Sequence, residues 1–458
     1  MANNETAEKP RRKRKVFQTL IILLVIIIAG FAVFRLILKS KLNARLDAIS
    51  AAGYPATCAE LDAWYTIPES AENAADTFID SFSHYNKWEE EEERKLLPII
   101  GLAQLPLRTE PLTEETKALV TRYIADNQQA LELLHKGAAI EHSRYPVDLS
   151  KGFEALPGLG YIRYGARLLE LEAILHAENG KPEKVVGSIK STFGLARSLS
   201  KEPILISQLV RIACQELAVS TLERAVNRTE FTDEQLADLS RTLVNAEDPC
   251  AMIRAFVGER CSGLSIFTMP AAKIPPLFSM AGNRPNPLSA PAIFLYRFVG
   301  LADMDAIIYL DLMNDYVKAL KLSPEHRREA ADAAFARYDK TSRIHVISHI
   351  IMPELSNCTT IDVRIAAQLR TARAGLAVQR YRLATGGLPN TLSELTPTYL
   401  DAVPKDPFDG KELRYKKLET GFVVYSIGED GNDDGGKEKP RKRTGPRAPE
   451  DVTFIVQR

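Results

Sequence analysis

Two stretches of this 458-residue chain carry residue types at spacings that could hold a metal. The first is Ser426–Gly436, where Glu429, Asp430, Asp433 and Asp434 alternate with glycines. Calcium takes six to eight oxygens from carboxylates and backbone carbonyls. Glycines let a chain turn sharply enough to present both. The same composition also suits plain turns, because Asp and Asn side chains bond their own backbone two residues on. The second stretch holds His345 and His349. On a helix these would face one side, the spacing that zinc uses. No Glu follows His345, so the H-E-x-x-H pattern is missing, although Glu354 and Cys358 stand near enough in sequence to add a third ligand. The neighbours Ile344, Val346, Ile347, Ile350 and Ile351 are apolar, as in a core segment. His84, His135, His142, His176 and His326 are scattered, and the sequence holds no G-x-S-x-G, P-loop or G-x-G-x-x-G motif.

Lysine plus arginine equals aspartate plus glutamate, at 59 each. No overall charge draws the chain to nucleic acid, so no such partner is expected. The five cysteines, Cys58, Cys214, Cys250, Cys261 and Cys358, include no C-x-x-C pair. Their odd number excludes complete internal pairing. On one helix Cys250 and Cys261 would stand about 16 Å apart, too far to bond. Small buried hydrophobes are the simpler role for most of them.

The elements that position these residues begin with an anchor. Val16–Phe34 is almost wholly apolar, and the run reaches Leu38 if Arg35 snorkels. About twenty such residues cross a bilayer. Arg11–Arg12–Lys13–Arg14–Lys15 precedes the run, and the weaker group Arg35, Lys39 and Lys41 follows it. The positive-inside rule then predicts a cytoplasmic tail over 1–15, a span over 16–38 and the remainder across the membrane. The alternative is a cleaved signal peptide, but the run is long for one and no small-x-small site follows it.

Residues 42–355 read as a helical extracytoplasmic domain, either an irregular bundle or a short helical-repeat array. Leu42–Ser50 continues the anchor helix until Gly53–Tyr54–Pro55. Thr113 caps a helix that the pattern carries to Lys136, with Gly137 as its stop. Helices over Tyr161–Glu178 and Pro182–Leu199 meet at Asn179–Gly180, and another covers Pro203–Val226. Thr232–Asp233–Glu234–Gln235 is a capping box. Prolines break residues 273–291, after which Ala292–Leu320 reads as one apolar helix and Pro324–Tyr338 as another. The run Glu89–Glu93 reads as a solvated face.

The C-terminal stretch 361–458 starts with a predicted helix, Ile361–Thr385, whose apolar stripe is Ile365, Leu369, Ala372, Leu376 and Leu383. Glu412–Leu418 and Phe422–Ser426 predict a hairpin about Thr420–Gly421, and Val452–Val456 a third strand. Along the way come Val403–Pro404–Lys405–Asp406–Pro407–Phe408–Asp409–Gly410, Tyr425–Ser426–Ile427–Gly428–Glu429–Asp430–Gly431, and a late Asp451–Val452. This order resembles the globular head of the major pseudopilin of type II secretion systems. The resemblance implies a long helix leading into a short antiparallel sheet, with a calcium loop before the last strand. It implies Asp430 and Asp451 as side-chain ligands and Ile427 as a carbonyl ligand; Asp433 and Asp434 are spare carboxylates. Two features depart from that family. Lys437–Pro449 is inserted in the loop, with cations that would repel a metal or neutralise the acids themselves. Val16–Phe17–Gln18–Thr19–Leu20 lacks the family's Gly and Glu and lies more than three hundred residues before the head.

The expectation is thus a mainly α protein with a small C-terminal α+β module, anchored once in a bacterial cytoplasmic membrane with its bulk in the periplasm. The functions to weigh are a scaffold or adaptor in contact with envelope or secretion proteins, and an envelope metal-dependent hydrolase at His345 and His349.

Overall fold

The computed structural model describes residues 8–88, 90–154, 158–275, 289–352, 355, 357–438 and 451–458. Glu89, Glu354, most of the proline-rich stretch and the inserted cations Lys439, Arg441, Lys442, Arg443 and Arg447 lie outside these residues.

Helix α1 (Glu8–Ala51) is 44 residues long, about 66 Å at ~1.5 Å per residue. That is roughly twice the ~30 Å of a bilayer's hydrocarbon. Among the described residues it is the one helix long and apolar enough to cross a membrane, and no residue of its most apolar window is buried inside the protein. The second half of α1 belongs to the body, with Leu38 and Ile49 buried. Gly53, at φ +78°, ends the run as its sequence suggests. The Arg35 guanidinium, partly exposed, pairs with Asp303, its Nη1 2.7 Å from that carboxylate. Ten residues further on, Arg45 holds both oxygens of Asp311, at 2.7 and 2.8 Å.

The body is helical: α2 (Cys58–Trp64), α3 (Ala74–Ser83), α4 (Glu91–Leu96), α5 (Glu114–Asp126), α6 (Gln128–Ala139), α7 (Leu159–Glu178), α8 (Pro182–Arg197), α9 (Leu205–Arg228), α10 (Asp233–Ala246) and α11 (Ala251–Thr268). Thr113 and Thr232 accept the capping bonds that their sequences promise, the second in a full capping box. The helix expected to run from Thr113 to Lys136 is instead two, divided at Asn127. That buried amide donates to the carbonyls of Tyr123 and Asn86 and accepts the N–H of Asn86. A side chain so engaged competes with the helix ladder.

Ala292–Leu320 is also two helices, α12 (Ala290–Phe298) and α13 (Leu301–Leu320). Gly300 between them sits at φ +88°, packed beside Arg35 and Leu38 of α1. A left-handed residue ends one helix and starts the next at a new angle. α14 (Pro324–Asp339), α15 (Val346–Ile351) and α16 (Cys358–Thr385) complete the helices. All five cysteines are free thiols; Cys250 is the N-cap of α11 and Cys261 lies within that helix.

The strands β1 (Arg414–Lys417), β2 (Phe422–Ser426) and β3 (Val452–Val456) form an antiparallel sheet in the order β1-β2-β3. Phe422, Val424, Phe454 and Val456 face inward and share one core with the helices; Val423, Tyr425 and Ile455 form a smaller cluster on the other face. In α16, Ile365, Leu369, Ala372 and Leu376 are buried, but Leu383 is 55% exposed in the last turns. The edge of β3 is not left open. Asn227 of α9 donates to the Ile455 carbonyl at 2.9 Å and accepts from Gln457 N–H at 2.7 Å. Glu223 of α9 accepts from Ile455 N–H at 3.0 Å. Side chains of the bundle thus satisfy an edge that would otherwise invite another strand.

Candidate functional site

The acidic loop is positioned by Asp406. This buried carboxylate accepts from Phe408 N–H at 2.9 Å, Ser426 Oγ at 2.8 Å and Ile427 N–H at 3.0 Å. Arg414 bonds both Asp406 and Asp409, so the loop ahead of β1 is clamped to the end of β2. Beyond it, Asp430 accepts from Asn432 N–H at 3.0 Å and Asp433 from Gly435 N–H at 2.9 Å. Both are turns of the kind their residue types favour. Asp451 accepts from Gly436 N–H at 2.7 Å and Asp434 N–H at 3.4 Å, which ties the loop to the start of β3.

Burial raises the Asp451 carboxyl above its ordinary value. The Gly436 and Asp434 amides oppose that rise, whereas the charges of Asp433 and Asp434 add to it. The donors are hard oxygens, as calcium prefers, and each carboxylate keeps lone pairs beyond its backbone bond. Among the described residues, however, no three acidic, histidine or cysteine side chains converge as a metal cage.

His345 and His349 do not share a helix face. His345 is the residue before α15, with a non-helical backbone, and its carbonyl accepts from His349 Nδ1 at 2.8 Å. The His349 ring lies 5.0 Å from that of Tyr338. The dominant group nearby is Asp305, which is fully buried. It accepts from Tyr296 Oη at 2.8 Å, Ile347 N–H at 2.9 Å and the Ser348 hydroxyl. Asp305 therefore caps the start of α15. Burial pushes its carboxyl up against those bonds, and burial pushes the His345 imidazole down despite the pull of Asp305.

Two arrangements have no signature in the sequence. In the first, His135 of α6 meets Ser191 of α8 through Nδ1 at 2.7 Å and Glu172 of α7 through Nε2 at 2.9 Å. Ser188 Oγ also donates to Glu172, at 2.7 Å. Burial alone would raise the Glu172 carboxyl, but the bond and charge of His135 hold it below its ordinary value. Hydroxyl, imidazole and carboxylate in this order can activate a nucleophile. Ser191, however, lies inside a helix, where backbone N–H groups are consumed and offer no oxyanion hole. The network serves to satisfy polar groups between three helices.

The second is a cleft of about 640 Å³ between the end of α10, the start of α14 and the middle of α16. Arg327 meets Asp362 at 2.7 Å, Arg370 meets Glu247 and Arg373 meets Asp401 at 3.2 Å. Arg211, also in the cleft wall and only 3% exposed, bonds two amide oxygens instead: Gln208 at 2.6 Å and Gln215 at 3.1 Å. Burial lowers its pKa, and the fields of Asp362 and Asp248 sustain its charge.

No protein family, no curated protein and no solved structure matches the chain.

Proposed function

We propose that the chain is a membrane-anchored scaffold or adaptor, with its bulk on the outer side of a bacterial cytoplasmic membrane. The observation that carries this reading is α1, a candidate span that runs without a break into the body and is fixed there by Arg35–Asp303 and Arg45–Asp311. Such a construction holds a helical platform at a set height above lipid. The basic residues before Val16 support a cytoplasmic N-terminus. The cleft lined by Arg211 and Arg370 offers a partner a charged concavity. The C-terminal resemblance links the platform to type II secretion or envelope assembly, with calcium as a ligand of the 427–451 loop.

Site-specific photo-crosslinking in intact membranes tests the adaptor reading. A crosslinker at Ala402, an exposed position in the cleft wall, should give one discrete protein adduct. The same group at Leu107, which is exposed and lies outside the cleft, should not. Equal diffuse labelling at both positions would sink the reading. A reporter fused after Arg458 that works only in the cytoplasm would sink the orientation.

A further inference from the structure

We propose that α12 lies in the outer interfacial layer of the bilayer as a second, non-spanning lipid contact. Its inward face is ordinary: Ile293 and Tyr296 are buried. Its outward face is not polar, as a helix over water would be. Pro291, Phe294, Leu295 and Phe298 follow at i, i+3, i+4 and i+7, and all four are exposed. Phe294 is 71%, Leu295 60% and Phe298 61% uncovered. The helix has one cation, Arg297, and it does not interrupt this stripe. Its Nη2 donates to the carbonyls of Ile266 and Met269 at the end of α11.

The position of the stripe names its occupant. The ring of Phe298 lies 5.8 Å from that of Phe31, which belongs to the apolar run of α1. The next contacts outward are Gly300 against Leu38 and the Arg35–Asp303 pair. The stripe therefore stands level with the outer end of the span. Whatever medium surrounds Phe31 and Phe34 also reaches Phe294 and Leu295. A short helix with large apolar side chains at that depth is built to enter the headgroup–acyl boundary. Lipid acyl chains, rather than a protein partner, fit a surface continuous with the anchor.

The inference rests on α1 being a membrane span, and one experiment separates the two claims. Full-length protein with Phe294→Trp, and separately Leu295→Trp, is reconstituted into phosphatidylcholine vesicles with or without acyl-chain bromination. The signal of the parent chain, which retains Trp64 and Trp88, is subtracted. Flotation of the parent with vesicles reads the anchor. The added tryptophan should emit at shorter wavelength than in water and lose at least half its intensity in brominated vesicles. A control Leu107→Trp should lose none. Floating protein whose added tryptophan is unquenched overturns the lipid contact alone. A blue-shifted, unquenched signal that disappears on dilution into excess lipid would assign the stripe to a second copy of the chain, and also overturns it. Protein that fails to float overturns both claims.

Discussion

Gly375 of α16 lies against the ring of Phe454 of β3: a Cβ at Gly375 would fall 2.7 Å from Cε1 and closer still to Cδ1. Phe454 is fully buried and has no outward route. This single missing methyl sets how closely the last strand docks on the helix. Gly375→Ala should therefore destabilise the protein by about 1–3 kcal/mol through overpacking. Gly187→Ala in α8 meets nothing within 4 Å and should be neutral or stabilising, by up to ~1 kcal/mol from helix propensity. Denaturant unfolding of the two variants checks both signs. Equal effects would mean that the α16–β3 contact is looser than it stands.

Stability should fall as pH rises toward neutrality. Burial lifts the Glu202 carboxyl from 4.5 to about 7, against the opposing pull of the Ser207 hydroxyl. The folded state thus favours the protonated form. Its contribution is complete below pH 4.5 and is lost as pH climbs through 7. The difference corresponds to about 3 kcal/mol. Glu202→Gln should flatten that part of the decline and raise Tm at pH 8 more than at pH 5. A variant that tracks the parent at every pH would show that the carboxyl ionises freely.

The cleft separates two kinds of buried arginine. Asp362→Asn removes the carboxylate that Arg327 holds at 2.7 Å in a buried site, and should cost about 3–5 kcal/mol. Arg211→Met removes a charge bonded only to amides. It should cost far less, roughly 1–2 kcal/mol, because no buried carboxylate loses a direct partner. Chemical denaturation of both variants at one pH makes the comparison. The reverse ranking would mean that Arg211, through its field on Asp362, is the principal counter-charge.

Calcium is a sharp test of the C-terminal loop. If Asp430, Asp451 and the Ile427 carbonyl hold the ion, a hundredfold excess over Kd adds about 2.7 kcal/mol. Calcium should then raise the Tm of the full chain, a chelator should reverse it, and Asp430→Ala should abolish the response. Asp409→Ala should keep the response from a lower baseline, since Asp409 is engaged with Arg414. A Tm that ignores both calcium and chelator would leave Asp430 and Asp433 as turn residues. Stoichiometric zinc lost on His345→Ala would instead favour the hydrolase.

What was legible in the sequence was local. The Thr232 capping box, Pro182 at the first turn of α8 and the apolar run of α1 each act through their immediate neighbours, and each stands where the pattern puts it. The breaks at Asn127 and Gly300 were hidden because their causes are distant. Asn127 answers to Asn86, and Gly300 to Arg35 and Leu38. The same holds for the sites. The carboxylates of Ser426–Gly436 are visible as letters, but nothing in the Val403–Gly410 stretch says that its Asp406 fixes the loop from twenty residues away. Arg211 and Asp362 line one cleft only because α9 and α16 pack together.

If α1 spans a bilayer as proposed, its unbroken course also makes the fold sensitive to that bilayer. A span longer than the local hydrocarbon is accommodated by tilting. Here no flexible joint separates lipid from protein before Gly53, and the two arginine pairs fasten the outer half of the helix to α13. Tilt therefore cannot dissipate in a linker. Under the proposed anchoring, a change in membrane thickness would swing the whole platform, and with it the height of the Arg211 cleft above the bilayer.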